Sequence, residues 1–186
     1  MRARPVTAAT VAALALTALA VPSAVSGASG AELPRCAEKN LTVRAEPSDD
    51  SDDADVLKLS VRNDAARACL VDRVPTVTYG DLDGAALPLP TVPHAGRALA
   101  AHTTVYAAVL SVSSDPKDSD DEARTVPSVN VAAVPDHDGR TFQALKLGAP
   151  VGVRVWEPVT TLWQSSPDRA AQVLQEETTG KGTIAA

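Results

Sequence analysis

Phenylalanine occurs once, tyrosine and tryptophan twice each, and methionine only at position 1. A core without aromatics has to come from Val, Leu and Ala, which bury less area per side chain and return less hydrophobic free energy. Once Met1 is cleaved off no thioether remains, and the usual soft ligand for copper goes with it. Histidine is confined to His94, His102 and His137, with no His-x-His or His-x₃-His spacing, so a transition-metal or acid–base site has no local motif to build on. Scattered surface histidines are the expectation. A Gly-x-Ser-x-Gly elbow is missing as well, which leaves nucleophilic catalysis only to a triad assembled from distant residues. No motif calls for a cofactor.

The first residues read as an export signal. Arg2 and Arg4 precede an uncharged Ala/Leu/Val/Thr stretch from Val6 to Val21, and Pro22 breaks it. Ser26-Gly27-Ala28 and Ser29-Gly30-Ala31 then offer the small-x-small pattern of signal-peptidase cleavage, giving a signal peptide over residues 1–31. An uncleaved membrane anchor is the rival, since the run approaches the roughly 18 to 20 residues of a spanning helix. Its Ala and Thr content makes it weakly hydrophobic, and the small-residue patch favours cleavage. Cys36 lies far beyond the run and follows Arg35, which excludes a lipoprotein site.

Loss of this segment removes two positive charges and no negative ones, so the formal charge of −6 becomes −8. An acidic exported protein of this kind lacks the basic surface that nucleic acid or anionic membrane requires. Candidate partners are instead a cell-wall glycan or another envelope protein. Residues 32–175 form one expected domain, with a flexible tail over 176–186. Cys36 and Cys69, an even pair in an oxidising compartment, read as a structural disulfide. Closing that loop is worth about 4 kcal/mol in the chain-entropy account.

The rest of the chain is a series of short alternating runs separated by turn signals, which predicts an all-β, immunoglobulin-like antiparallel β-sandwich. Leu41 and Val43 open it. Leu57, Leu59 and Val61 alternate with Lys58, Ser60 and Arg62 before the turn at Asn63-Asp64. Further strands are predicted over Val74 to Tyr79, Thr103 to Val112, Val129 to Val134, Thr141 to Leu147 and Val151 to Trp156. Asp83-Gly84 and Asp138-Gly139 mark reversals. Pro167 to Gln175 is the one predicted helix, with Pro167 in its first turn.

This order of elements resembles the secreted actinobacterial family known as domain of unknown function 4232. The carrying residues are Cys36 before Leu41-Thr42-Val43, Leu59-Ser60-Val61-Arg62-Asn63, Cys69-Leu70-Val71-Asp72-Arg73-Val74-Pro75, and Asp83-Gly84. The likeness spans roughly Cys36 to Trp156. Arg73 stands where the family usually has Gly, Ala101-His102 replaces a usual Pro-Gly turn, and a later cysteine pair is missing. What the resemblance implies is an immunoglobulin-like sandwich, a Cys36–Cys69 bridge and export, with no activity attached.

Among candidate sites, the acidic run Asp49, Asp50, Asp52, Asp53 and Asp55 supplies oxygen ligands suited to calcium, but without the ligand spacing, turn Gly or closing Glu of an EF-hand. A solvated loop is the simpler reading, and the run Asp115 to Glu122 reads the same way. Asp81-Leu82-Asp83-Gly84 and Asp136-His137-Asp138-Gly139 are too short to wrap an ion and read as hairpin turns. Trp156 and Trp163 form the candidate binding surface, one expected buried and the other exposed for stacking on sugars or anchoring an interface. The function expected is a secreted, non-catalytic binding module displaying loops Ala85 to Leu99 and Ser113 to Pro127. A secreted hydrolase or metal-dependent enzyme with an unrecognised site is the alternative.

Overall fold

The computed structural model describes residues 33–48, 55–91, 96–113 and 123–179, within the unit Glu32–Ala186. In chain order its strands are β1 (Leu41–Pro47), β2 (Val56–Asn63), β3 (Cys69–Asp72), β4 (Thr76–Tyr79), β5 (Leu87–Leu89), β6 (Gly96–Leu99), β7 (Thr104–Leu110), β8 (Arg124–Val126), β9 (Ser128–Ala132), β10 (Arg140–Gln143), β11 (Val153–Val155) and β12 (Val159–Thr161). The helix α1 (Pro167–Thr178) follows. The expected signal peptide, the residues Asp49 to Asp53, His94, the second acidic run and residues 180–186 lie outside the described residues.

The alternation of β2 decides the first layer. Leu57, Leu59, Val61 and Asn63 are buried, and the residues between them are partly or fully exposed. β1 pairs with β2 antiparallel from Leu41↔Asn63 to Pro47↔Leu57, and β7 pairs on its other side from Val56↔Leu110 to Arg62↔Thr104. β12 adds to β7, and β5 closes the sheet parallel to β12, giving the order β1-β2-β7-β12-β5. The smaller sheets β10-β9-β4, β3-β6 and β11-β8 bring their own apolar residues to the same interior. The result is an all-β sandwich filled by Val, Leu and Ala, among them Val61, Val71, Val77, Val109, Val129 and Val131.

The other face of β7 is also apolar. Ala108 with Val159 forms a second cluster under Ala170 and Leu174 of α1. Ser166 caps the helix by accepting from the Arg169 N–H at 3.2 Å, and Pro167 takes the first turn, where its missing donor is harmless. The helix runs to Thr178, three residues beyond the predicted end, because Leu174 anchors its last turns and the Thr178 hydroxyl donates to the Leu174 carbonyl at 2.8 Å. Residues 176–178 are therefore helix rather than tail.

Several strands differ from the sequence reading. The run Thr141 to Leu147 divides into β10 and a 3₁₀ turn over Ala144–Leu147, stopped by Gly148 in the left-handed region. The two expected loops contain β5, β6 and β8, strands too short to show alternation. Pro88 sits within β5, on the sheet edge, where a missing N–H is tolerated. Both Asp-Gly reversals place Gly at positive φ, +95° at Gly84 and +75° at Gly139.

One corner ties the segments together. Cys36 and Cys69 are bridged and buried, and the Cys36 N–H donates to the Leu70 carbonyl at 2.9 Å. Beside them Asn63, 0 % exposed, donates from Nδ2 to the carbonyls of Arg67 (2.9 Å), Leu99 (3.1 Å) and Ala100 (3.3 Å). Its Oδ1 accepts the Ala65 N–H at 3.0 Å. Asn63→Asp keeps the shape but turns an acceptor toward those carbonyls, and it is expected to cost about 3 kcal/mol or more. Urea denaturation checks this, and a loss below about 1 kcal/mol would remove the corner's claimed role. His102 occupies the left-handed region at φ +57°, where glycine meets no Cβ penalty. His102→Gly is expected to raise stability by about 0.5–1 kcal/mol, read as a higher Tm.

Candidate functional site

Trp163 is 1 % exposed and belongs to the core cluster, so the expected surface role does not hold for it. Its position follows from backbone bonds: its N–H donates to the Arg73 carbonyl at 3.0 Å, and its carbonyl accepts from Arg97 Nη1. Aromatic scarcity explains the outcome, because a core of small aliphatics uses its largest available side chain as filler. Trp156 is half-buried. The two rings do not share a surface cleft: Trp156 and Trp163 line different concavities.

Around Trp156 the fold builds a cleft of about 280 Å³, lined also by Tyr79, Asp83, Arg124, Glu157 and Pro158. Tyr79 comes from the end of β4, Asp83 from the following turn, and Arg124 from the start of β8. The Trp156-Glu157-Pro158 segment is held from both sides. The Trp156 N–H donates to the Ser111 carbonyl at 2.9 Å, and the Ser113 N–H returns a bond to the Trp156 carbonyl at 3.1 Å. The Ser113 hydroxyl donates to the Glu157 carbonyl, and the Leu87 N–H donates to that of Pro158 at 2.8 Å.

Glu157 pays for this arrangement with strain. Its φ is +45°, a conformation rare for a side-chain-bearing residue and further disfavoured before proline. Strain of this kind costs about 1–3 kcal/mol and persists where surrounding bonds over-determine it. The cleft therefore presents an indole and one carboxylate on a segment with little freedom left to lose, with the Asp83 carboxylate and the Arg124 guanidinium brought from other elements. Tyr79 adds a further feature: it is 2 % exposed, and its hydroxyl is buried without a hydrogen-bond partner among the described residues. Burial pushes that hydroxyl's pKa up, so the group stays protonated and remains a donor.

Asp138-Gly139 is the expected turn between β9 and β10, held from outside by the Asn130 amide donating to the Asp138 carbonyl at 3.0 Å and by the Gly139 N–H donating to Glu38 at 2.7 Å. Asp55 accepts on its backbone carbonyl from Ser111. Among the described residues no three His, Cys, Asp or Glu side chains gather as a metal site, and no helix is long and apolar enough to cross a membrane. The disulfide is consistent with an oxidising, extracellular setting. Sequence reading missed Tyr79, Arg124 and Glu157 as cleft residues.

The family model described as Domain of unknown function (DUF4232) matches residues 36–164, and the chain belongs to that family. The match starts at the bridged Cys36 and stops short of α1, so it covers the sandwich and the cleft. No curated protein and no solved structure matches the chain.

The orphaned Tyr79 hydroxyl has a measurable consequence. A buried polar group without a partner costs about 1–3 kcal/mol, so Tyr79→Phe is expected to raise the unfolding free energy by about 1 kcal/mol. A fall in Tm for that variant would mean the hydroxyl has a partner in solution.

Proposed function

We propose that this member of the family is an exported, non-catalytic binding module and that it takes a sugar ring of a cell-wall glycan in the Trp156 cleft. The observation that carries the reading is the half-buried Trp156 indole beside Asp83, Arg124 and Glu157, on a segment fixed by backbone bonds. An indole face stacks on the apolar face of a sugar, while carboxylates and a guanidinium take up ring hydroxyls in directed hydrogen bonds. A cleft of about 280 Å³ is near the lower end of the roughly 300–1,000 Å³ usual for small-ligand sites, enough for one ring of a longer chain. Export rests on the N-terminal Arg2/Arg4 start, the apolar stretch and the small-residue cleavage patch, together with the disulfide.

Pinning matters energetically. Ordering a loop on binding costs about 0.5–1.5 kcal/mol per immobilised side chain, and a strained, pre-bonded segment has already met most of that cost during folding. Both cysteines are bonded to each other, which takes thiol chemistry away and leaves the carboxylates Asp83 and Glu157 as the cleft's reactive groups, so sugar release is the outcome that separates binding from hydrolysis.

Co-sedimentation of the purified protein with isolated cell-wall sacculi tests the proposal. Saturable pelleting that resists added salt is expected, with at least a tenfold loss of affinity in Trp156→Ala and little change in Tm. Pelleting equal in the variant, or abolished by moderate salt, would reject the cleft as a glycan site. Release of soluble sugar during the incubation would instead support the hydrolase reading.

A further inference from the structure

Away from the Trp156 cleft, two arginines meet at a second concavity. Arg73 and Arg97 line a space of about 510 Å³ together with Gly96, Leu162, Trp163 and Gln164. The register of β3 with β6, Val71↔Arg97 and Asp72↔Gly96, carries Arg73 past the end of β3 to the Gly96 end of β6. Both arginines are tied to one residue: Arg73 accepts the Trp163 N–H on its carbonyl, and Arg97 Nη1 donates to the Trp163 carbonyl. The Trp163 backbone therefore fixes the Arg97 guanidinium and the main chain that carries Arg73.

Neither guanidinium has a carboxylate within ion-pair distance among the described residues, where the pairs are Arg62–Asp64 and Arg169–Glu176. The neighbouring Asp72 accepts the Arg73 backbone N–H at Oδ1, 2.8 Å away. Arg97 is partly buried, and burial, followed by the charge of Arg73, lowers its pKa below the ordinary value. An arginine stays charged all the same, and of its five N–H donors only one is used on Trp163. In a chain of net charge −6, two cations facing one cavity without acids between them is an arrangement that an anion relieves.

We propose that the Arg73–Arg97 concavity binds a phosphate group, with the two guanidinium forks gripping its oxygens. Planar guanidinium donors match tetrahedral oxyanions two bonds at a time, and such charge-assisted bonds are about twice as strong as neutral ones. The open volume beyond the forks admits a phosphate carried on a larger molecule. The chemistry is shared by free inorganic phosphate and by the phosphodiester of an anionic wall polymer, and affinity separates the two sources.

The experiment is calorimetric titration of the purified protein with inorganic phosphate and with poly(glycerol phosphate), at matched ionic strength against a chloride control. Saturable binding at one site is expected, weakened at least tenfold in Arg73→Gln, whose exposed side chain can change without disturbing the core. Arg97→Lys, which keeps the charge and loses the fork, is expected to fall between them. Phosphate should raise the Tm of the wild-type protein and not that of Arg73→Gln, and without phosphate the variant should melt higher than wild type. Tighter binding of inorganic phosphate identifies the free ion as ligand, and tighter binding of the polymer identifies the phosphodiester. Heat no greater than in chloride, or equal affinity in wild type and Arg73→Gln, overturns the site. Trp156→Ala leaves it unaffected, so this result and that of the sacculus assay stand apart.

Discussion

The buried carboxamide of Asn63 is the constraint on which the sandwich turns. Its Nδ2 reaches carbonyls of residues 67, 99 and 100, so the end of β2, the approach to β3 and the exit of β6 are fixed by one side chain. The Asn63 N–H meanwhile donates to the Thr103 carbonyl at 3.0 Å, and the Asp64 N–H to that of Asn40 at 2.8 Å. The disulfide adds the N-terminal segment to the same corner by joining Cys36 to Cys69. Net stability is a small difference between large terms, and a buried polar group that is fully satisfied excludes competing registers because every alternative leaves it unpaired. That selectivity matters most where the core offers little shape information, as a core of Val and Ala does.

Small core residues also shape the layering. β7 carries Ala107 toward one side and Ala108 toward the other, both 1 % exposed. Two packed layers can thus approach a single strand, the opposing sheets on one face and α1 on the other. Larger side chains at both positions would push one layer away. The join of β12 to β7 shows the same economy of space: the Ala108 N–H is met by the Thr161 hydroxyl at 3.0 Å, and Thr160 and Thr161 are both fully buried. Trp163 is the exception in size, and it is spent on the core where the segment after β12 crosses back past Arg73 and Arg97.

What could be read from the sequence follows from where its periodicity was strong. β2 was legible because Leu57, Leu59 and Val61 alternate with polar residues, and the same pattern carried β1 and β7. The start of α1 was legible from Pro167 in its first turn, but its end was not, since Leu174 is held by Ala108 and Val159 rather than by any local stop signal. β5 and β8 have three residues each, too few for a period, and exist through partners far away in the chain. The candidate site was half legible. Trp156 stood out as a rare residue type, whereas Tyr79, Asp83 and Arg124 reach it from three separate elements. Trp163 looked equivalent to Trp156 because composition says nothing of which ring the core will take.

In the two proposed sites, readiness for a ligand would come by opposite means. At Trp156 the readiness is conformational, since Glu157 is kept at positive φ by bonds from Ser113 and its neighbours, and a ligand finds the segment already ordered. At Arg73 and Arg97 it is electrostatic, since like charges are held near one another by the backbone of Trp163 and a ligand supplies the missing sign. Both draw on segments the sequence read as loops, Arg97 from Ala85 to Leu99 and Arg124 with Ser113 from Ser113 to Pro127, tied to the sandwich by backbone bonds. A fold whose core alone is weakly specifying can still present accurate sites in this way, because a segment tied at both flanks inherits the rigidity of the sheets it joins. The stored strain at Glu157 and the like-charge proximity of Arg73 and Arg97 are each small beside the stability of the whole.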